Sequence, residues 1–501
     1  MKQKITLLLC ILISVPLSGQ NRYDNNWVFA NLSLGGKLLN FDNNTLHINP
    51  ISLTEGRSRE ALVSMSDKEG NLIFYSNNCS IFDKNHALME NGEGLNPGQI
   101  QTYWCSVNPF ANPNGNSIFS IPDPGNNSNY YIFHRDFEAF NIGLPGGSQF
   151  APLHFYCSKI NISQNNGLGK VTSKNEVIIA DTLSSNGMQA VRHANGRDWW
   201  ILIPEFKGNC YYRVILSPNG IEVIDKQCIG KDWDKYAQSG GAYFTPDGTK
   251  YVRCHAEYGL NIFDFDRCSG KLSNPTHIGL EAPDTYLISS MALSANGRFV
   301  YYNTRSQIFQ FDIDALDIAA SKVLVAQFDG FQSAGNNTDF YYSRLAPDGK
   351  IYICTYNQTY YLHTIEHPDS VGLACKVMQH STQLPFTHFA SMPNYPNYRL
   401  GALPGPCDTI NTSATELETA QTALSITPNP STGDFQVKST ENEVLTRIEI
   451  IDLAGKIVHA FQCDNTLVTL RREQHQLGRG FYLIRATGKR GHQYVSKIIL
   501  E

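Results

Sequence analysis

From residue 24 to about residue 401, short apolar runs dense in aromatic and β-branched residues alternate with polar turns. Alternation with a period of two over four to eight residues, closed by Gly, Asn or Asp, predicts antiparallel strands joined by tight hairpins. One unit recurs: a polar turn ending in Gly or Asn, then an aromatic-rich run. It reads Lys68-Glu69-Gly70-Asn71-Leu72-Ile73-Phe74-Tyr75, then Asn129-Tyr130-Tyr131-Ile132-Phe133, then Asn195-Gly196-Arg197-Asp198-Trp199-Trp200-Ile201. Pro246-Asp247-Gly248-Thr249-Lys250-Tyr251-Val252, Ala295-Asn296-Gly297-Arg298-Phe299-Val300-Tyr301 and Pro347-Asp348-Gly349-Lys350-Ile351-Tyr352 follow. Gly196, Gly248, Gly297 and Gly349 stand 52, 49 and 52 residues apart. An in-phase run also begins at Asn26-Trp27-Val28-Phe29.

Between these copies lie second hairpins, such as Asn261-Ile262-Phe263-Asp264-Phe265 and Ile308-Phe309-Gln310-Phe311-Asp312. About fifty residues carrying roughly four short strands is the period of a β-propeller blade. A single blade cannot bury both its faces, but radial packing against neighbours does so. The pattern therefore predicts an all-β chain with a β-propeller of about seven blades over residues 24–401. Six or eight blades stay open, because the segment between Asn129 and Gly196 carries extra loop.

Residues 402–424 change character. Pro404-Gly405-Pro406 is followed by Thr, Ser, Ala and Glu with no aromatic residue, which reads as a linker. Cys407 at its start is placed to staple the linker to the propeller. Beyond it, alternating strands split by Gly turns over residues 425–501 predict a small, Ig-like antiparallel β-sandwich. Its landmarks are Pro428-Asn429-Pro430 with Gly433, then Gly455-Lys456, Gly480-Phe481-Tyr482 and Lys497-Ile498-Ile499.

At the other end, Lys2 and Lys4 precede the apolar run Ile5 to Val15, and Ser18-Gly19 supplies small residues. Residues 1–20 thus read as a secretory signal, too short to span a bilayer. Export changes the reading of the 12 cysteines. Ten of them fall between Cys79 and Cys407, and disulfides are expected outside the cell. The local pairs predicted are Cys210 with Cys228, Cys254 with Cys268, and Cys354 with Cys375. No C-x-x-C exists, so zinc is the poorer reading, and nothing calls for a cofactor. Forty Lys and Arg against 45 Asp and Glu give −5, which excludes a global field for nucleic acid. No later stretch is long enough for a transmembrane segment.

The candidate chemistry is thin. Arg192, His193 and Asp198 bracket one turn and are the first ligand-binding candidates; the competing reading is hydrogen bonding between blades. Trp104 and Trp233 sit in polar contexts and are the aromatic candidates for a surface ligand site. His134-Arg135-Asp136 has the letters of a kinase catalytic loop, but the surrounding β pattern and the missing glycine-rich loop rule that out. His255 and Glu257 share one face of a strand. No nucleophile elbow, metal-binding helix or P-loop is present.

The Ala/Thr-Pro-Asp-Gly turns resemble WD40-like, TolB-type propeller repeats. The strings Arg192–Trp200, Arg344–Tyr352 and Pro393–Gly401 resemble a group of secreted propellers from Bacteroidota. The landmarks of residues 425–501 resemble the type A C-terminal sorting domain of the type IX secretion system. That likeness implies Sec export, passage across the outer membrane by the type IX machinery, and removal of the module. It also implies either attachment of the cargo to surface lipopolysaccharide or its release. The sequence thus points to a cell-surface or secreted propeller, a non-enzymatic module binding a glycan or protein. A polysaccharide hydrolase or lyase and a structural envelope component are the alternatives.

Overall fold

The computed structural model describes residues 21–30, 35–42, 45–52, 61–106, 115–141, 148–233, 240–279, 290–405, 407, 424–440, 442–452, 457–472, 477–489 and 493–501. The expected signal at residues 1–20 lies outside these. The chain divides into two compact units, Met1–Cys407 and Asp408–Glu501.

The first unit is all-β apart from short helical turns. Its first sheet has three antiparallel strands, Asn26–Ala30, Gly35–Asp42 and Thr45–Ser52. The second runs Val63–Ser66, Leu72–Ser76, Ser80–Asp83 and Leu88–Glu93. The third runs Ile118–Pro122, Asn129–Arg135, His154–Asn161 and Lys170–Ala180. A lone parallel pairing of Lys170 with Glu90 joins the outer strands of the second and third sheets. Four more meanders follow. The fourth is Gln189–Arg192, Trp199–Pro204, Cys210–Ser217 and Gly220–Cys228; the fifth is Gly240–Phe244, Lys250–His255, Gly259–Asp266 and Lys271–Ile278. The sixth is Ser290–Leu293, Phe299–Asn303, Gln307–Asp312 and Val323–Gln327; the seventh is Phe340–Leu345, Ile351–Thr355, Thr359–Ile365 and Val377–His388.

The first strand of each sheet lies beside that of the next for sheets one to three and four to seven, and Val377–His388 returns against Gly35–Asp42 of the first sheet. Burial follows this order. The first two strands of the sixth sheet are buried throughout, whereas Gly220–Cys228 at the outer edge of the fourth is largely exposed. The inner strands therefore need apolar residues on both faces, which is why they read as continuous Tyr, Val, Ile and Phe. Trp27 and Trp199 are fully buried in one core that spans several sheets. Each such ring removes on the order of 200 Å² from water, roughly 5 kcal/mol before entropy is counted.

The repeated turn is one device used four times. The backbone N–H groups of His193, Thr245, Ser294 and Ala346 bond across to Asp198, Lys250, Phe299 and Lys350. Gly196, Gly248, Gly297 and Gly349 sit at φ of 72° to 80°, where a Cβ is strained. The preceding Asn195, Asp247, Asn296 and Asp348 each accept the N–H two residues on through Oδ1, at 2.9 to 3.1 Å. The recurring Asn/Asp-Gly pair is thus an Asx turn followed by a left-handed glycine.

Three disulfides are present among the described residues: Cys79–Cys105, Cys210–Cys228 and Cys268–Cys407. Two expected pairings are corrected. Cys268 is bonded to Cys407, so it does not join Cys254, and Cys354 and Cys375 are buried thiols rather than a bridge. Buried in apolar strands, Cys254 and Cys354 behave as small hydrophobic residues.

The second unit packs a three-stranded sheet, Leu424–Thr427, Phe435–Ser439 and Leu467–Leu470, with a four-stranded one. The latter is ordered Ile457–Asn465, Leu445–Ile451, Gly480–Gly488 and Gln493–Leu500. Phe435, Val437, Ile448, Ile450, Ile484 and Ile498 fill their shared core. Pro428 and Pro430 bracket Asn429, whose amide bonds the backbone at Lys497 and Ile499. Ser431 pairs onto Ile499 and Glu501, and its Oγ bonds Gly433. The Tyr482 hydroxyl reaches the Gly478 carbonyl, and the chain turns into that strand at Gly480. Gly455 and Lys456 lie outside the described residues.

Candidate functional site

The segment after the seventh sheet, residues 391–403, crosses the inner edges of the other sheets. Asn394 N–H bonds the Leu62 carbonyl at 3.2 Å, Tyr395 OH bonds Asn26 O at 3.0 Å, and Tyr398 OH bonds Ser120 O at 2.6 Å. Asn397 donates to Pro246 O at 2.7 Å, and Leu403 N–H to Ala194 O at 2.9 Å. Arg399 pairs with Asp24 at 2.5 Å. A Pro- and Tyr-rich sequence suits such a crossing, because ring stacking fills the space and each hydroxyl satisfies an inner-strand carbonyl. Cys268–Cys407 then fastens the chain just beyond it.

This crossing segment leaves a cavity of about 540 Å³ on the side of sheets four to seven. Its walls are the first strands at Gln189–Val191, Tyr243–Phe244, Ala292–Leu293 and Ser343–Ala346, with Tyr395–Asn397 and Arg399–Gly401. The turn residues Ala295, Pro347 and Gly349 also line it. The lining is mostly apolar, with Arg344 as its buried cation, 5% exposed. The Arg344 guanidinium lies over the Tyr243 ring at 4.4 Å and donates from Nη2 to Asn394 Oδ1 at 2.9 Å. Among the described residues its Nε has no acceptor. Burial pulls its pKa down, the expected direction for a cation out of water. The cavity's carboxylate, Asp24, is taken up by Arg399.

The sequence candidates are scattered. His193 bonds the Cys268 carbonyl of the neighbouring sheet through Nε2 at 3.1 Å and accepts Asn195 N–H on Nδ1 at 3.0 Å. Asp198 is held by Arg197 at 2.7 Å and by Asn195 at 2.8 Å. Arg192 lies over Trp199 at 4.2 Å and bonds the Gly196 carbonyl, its pKa pushed down to about 10 by burial. Of the three, only the His193 side chain bonds a neighbouring sheet; Asp198 and the Arg192 side chain are held by residues of their own turn. Trp233 is corrected: it is 2% exposed, covered by Arg253 at 4.1 Å and Tyr258 at 6.0 Å, and is no surface platform. Trp104 is half-buried on the helical turn Ile100–Cys105, edge-on to the exposed Tyr103.

His134-Arg135-Asp136 is wholly buried. His134 bonds Asn96 at 2.7 Å and Ser158 at 2.9 Å, and Asp136 holds His154 at 2.6 Å. In the sequence, Arg344 stands out only as part of a repeat. Its signal is a guanidinium inside the buried run Tyr341-Tyr342-Ser343-Arg344-Leu345, where a charge needs a partner. Among the described residues, no group of three or more His, Cys, Asp or Glu could hold a metal ion.

Residues 425–501 match the family described as the secretion system C-terminal sorting domain. No curated protein matches this sequence. Among solved structures, a functionally unknown protein from Desulfotomaculum acetoxidans is 14% identical, with 74% of this chain and 100% of that one covered and a TM-score of 0.38. A putative 6-phosphogluconolactonase from Bacteroides uniformis is 12% identical over 72% and 96%, also at 0.38. PorZ of Porphyromonas gingivalis, a surface component of the type IX secretion system, is 10% identical over 96% and 75%, at 0.29. Likenesses this remote carry no argument about activity. The sorting module does: the chain is exported by the type IX route to the cell surface or the medium. No helix among the described residues is long and apolar enough to cross a membrane.

Proposed function

We propose that this chain is an exported β-propeller of seven blades, with residues 24–401 as the propeller. Residues 1–20 would be its Sec signal, 402–424 a linker and 425–501 an Ig-like sorting sandwich. Outside the cell it serves as a binding or scaffold module rather than an enzyme. The sorting module engages the type IX machinery and is removed, leaving the propeller on surface lipopolysaccharide or free.

Seven successive meanders, with neighbouring first strands in sheets one to three and four to seven, support the blade reading. The observation that carries the export half is the C-terminal module, matched across residues 425–501. A binding role is favoured by a cavity that presents one buried guanidinium while its carboxylate is ion-paired. That arrangement recognises a charge and offers no acid–base pair.

The experiment is a truncation. Cells producing the chain without residues 425–501 should retain it in the periplasm, while the full chain reaches the surface or medium. Surface display of the truncated chain would overturn the export reading.

A further inference from the structure

Arg135, Arg192, Arg253 and Arg344 each keep a buried Nε without an acceptor among the described residues, and of these four Arg344 lines the cavity. A guanidinium out of water costs several kcal/mol unless a counter-charge and hydrogen-bond acceptors surround it. Arg344 is 5% exposed, and among the described residues no carboxylate is ion-paired with it. Asn394 Oδ1 takes one Nη2 hydrogen. Among the described residues the Nε–H, also buried, has no acceptor, and the neighbouring amide nitrogen Nδ2 of Asn394 has none either.

The surroundings narrow the class. The second guanidinium on the wall, Arg399, is neutralised by Asp24, so the cavity offers a single net positive charge. A dianionic phosphate would remain half uncompensated there. The other walls include Phe244, Ala292, Leu293, Leu345 and Leu400, which suit an apolar body. Gln189 lines the same space and donates to Asn394 Oδ1 at 3.2 Å, holding that acceptor toward Arg344. A volume of about 540 Å³ is that of a small-molecule site.

We infer that this cavity binds a small organic carboxylate, a monoanion with an apolar body, its carboxylate drawn to the Arg344 guanidinium. The inference deepens the binding reading above and rests on it.

The test is calorimetry on the full chain with indole-3-acetate and its neutral amide, indole-3-acetamide. The acid should bind at least roughly tenfold more tightly than the amide, the margin of a charge-assisted hydrogen bond. Arg344→Gln should erase that preference. Ala292→Trp, which fills the cavity and leaves Arg344 in place, should abolish binding of both, and it keeps the test decisive if Arg344→Gln does not fold. Equal affinity for acid and amide, no heat from either with a cooperatively folding protein, or a preference that survives either substitution would overturn the site. Export is read separately by the truncation. Failed binding with normal export therefore condemns the site and not the exported-scaffold reading, and failed export does the reverse.

Discussion

The side chain of Asn429 acts as an extra backbone neighbour for the last strand: Oδ1 accepts the Ile499 N–H at 3.0 Å and Nδ2 donates to the Lys497 carbonyl at 2.8 Å. Donor and acceptor are matched to a strand edge, which gives a physical reason for an asparagine between the two prolines. Asn429→Ala removes both bonds and should lower the stability of the second unit by about 1–2 kcal/mol. Asn429→Asp should cost at least as much, because the carboxylate cannot donate to the Lys497 carbonyl. Urea unfolding of the full chain, followed by hydrogen exchange at Gln493–Leu500, checks both.

The disulfides should rank by the loop they close. Cys268–Cys407 spans 139 residues and Cys210–Cys228 spans 18. The chain-entropy account gives up to about 5 kcal/mol for the first and about 3 kcal/mol for the second. Replacing Cys268 and Cys407 by Ser should therefore lower the urea midpoint more than replacing Cys210 and Cys228. The reverse order would show that residues 391–403 hold without their fastener.

Those residues should also be sensitive one atom at a time. Tyr398→Phe removes the hydroxyl that bonds Ser120 O and leaves a buried carbonyl unsatisfied. The expected loss is about 1–2 kcal/mol. Tyr398→Ala should cost about 3–5 kcal/mol, because it also opens a void in the core. Chemical denaturation of both variants separates the hydroxyl from the ring.

Acid should weaken the first unit early. Burial holds His134 down at about 3 and His363 at about 4, and pushes His388 well below its usual value. Unfolded, these groups titrate near 6.5. Above that pH both states are neutral and stability is fully present. As pH falls from 6.5, the unfolded chain takes up protons that the folded one refuses. Stability then drops by up to about 1.4 kcal/mol per pH unit for each such histidine. Urea midpoints at pH 7 and pH 5 should show the fall, and His134→Gln should flatten the slope.

The hairpin repeat was legible because Asn/Asp-Gly turns leave a local mark: Asp247 and Gly248 set one turn whatever surrounds it. Cys210 and Cys228 were legible for the same reason, facing each other across one hairpin. For Cys407 the staple to the first unit was legible but its partner was not, since nothing near either residue encodes a contact 139 positions away. Trp233 misled because Lys231 and Asp232 make its sequence polar, while Arg253 and Tyr258 cover it from other strands. The cavity escaped because it is made by residues 391–403 meeting four separate first strands, a relation that no single stretch contains.

The ring itself is tested most directly by an experimental structure of the mature protein. The account predicts seven sheets around one axis, their first strands innermost, with residues 391–403 lying across them and Tyr398 bonded to Ser120. Six or eight sheets, or an open row with residues 391–403 on its outer surface, would contradict it.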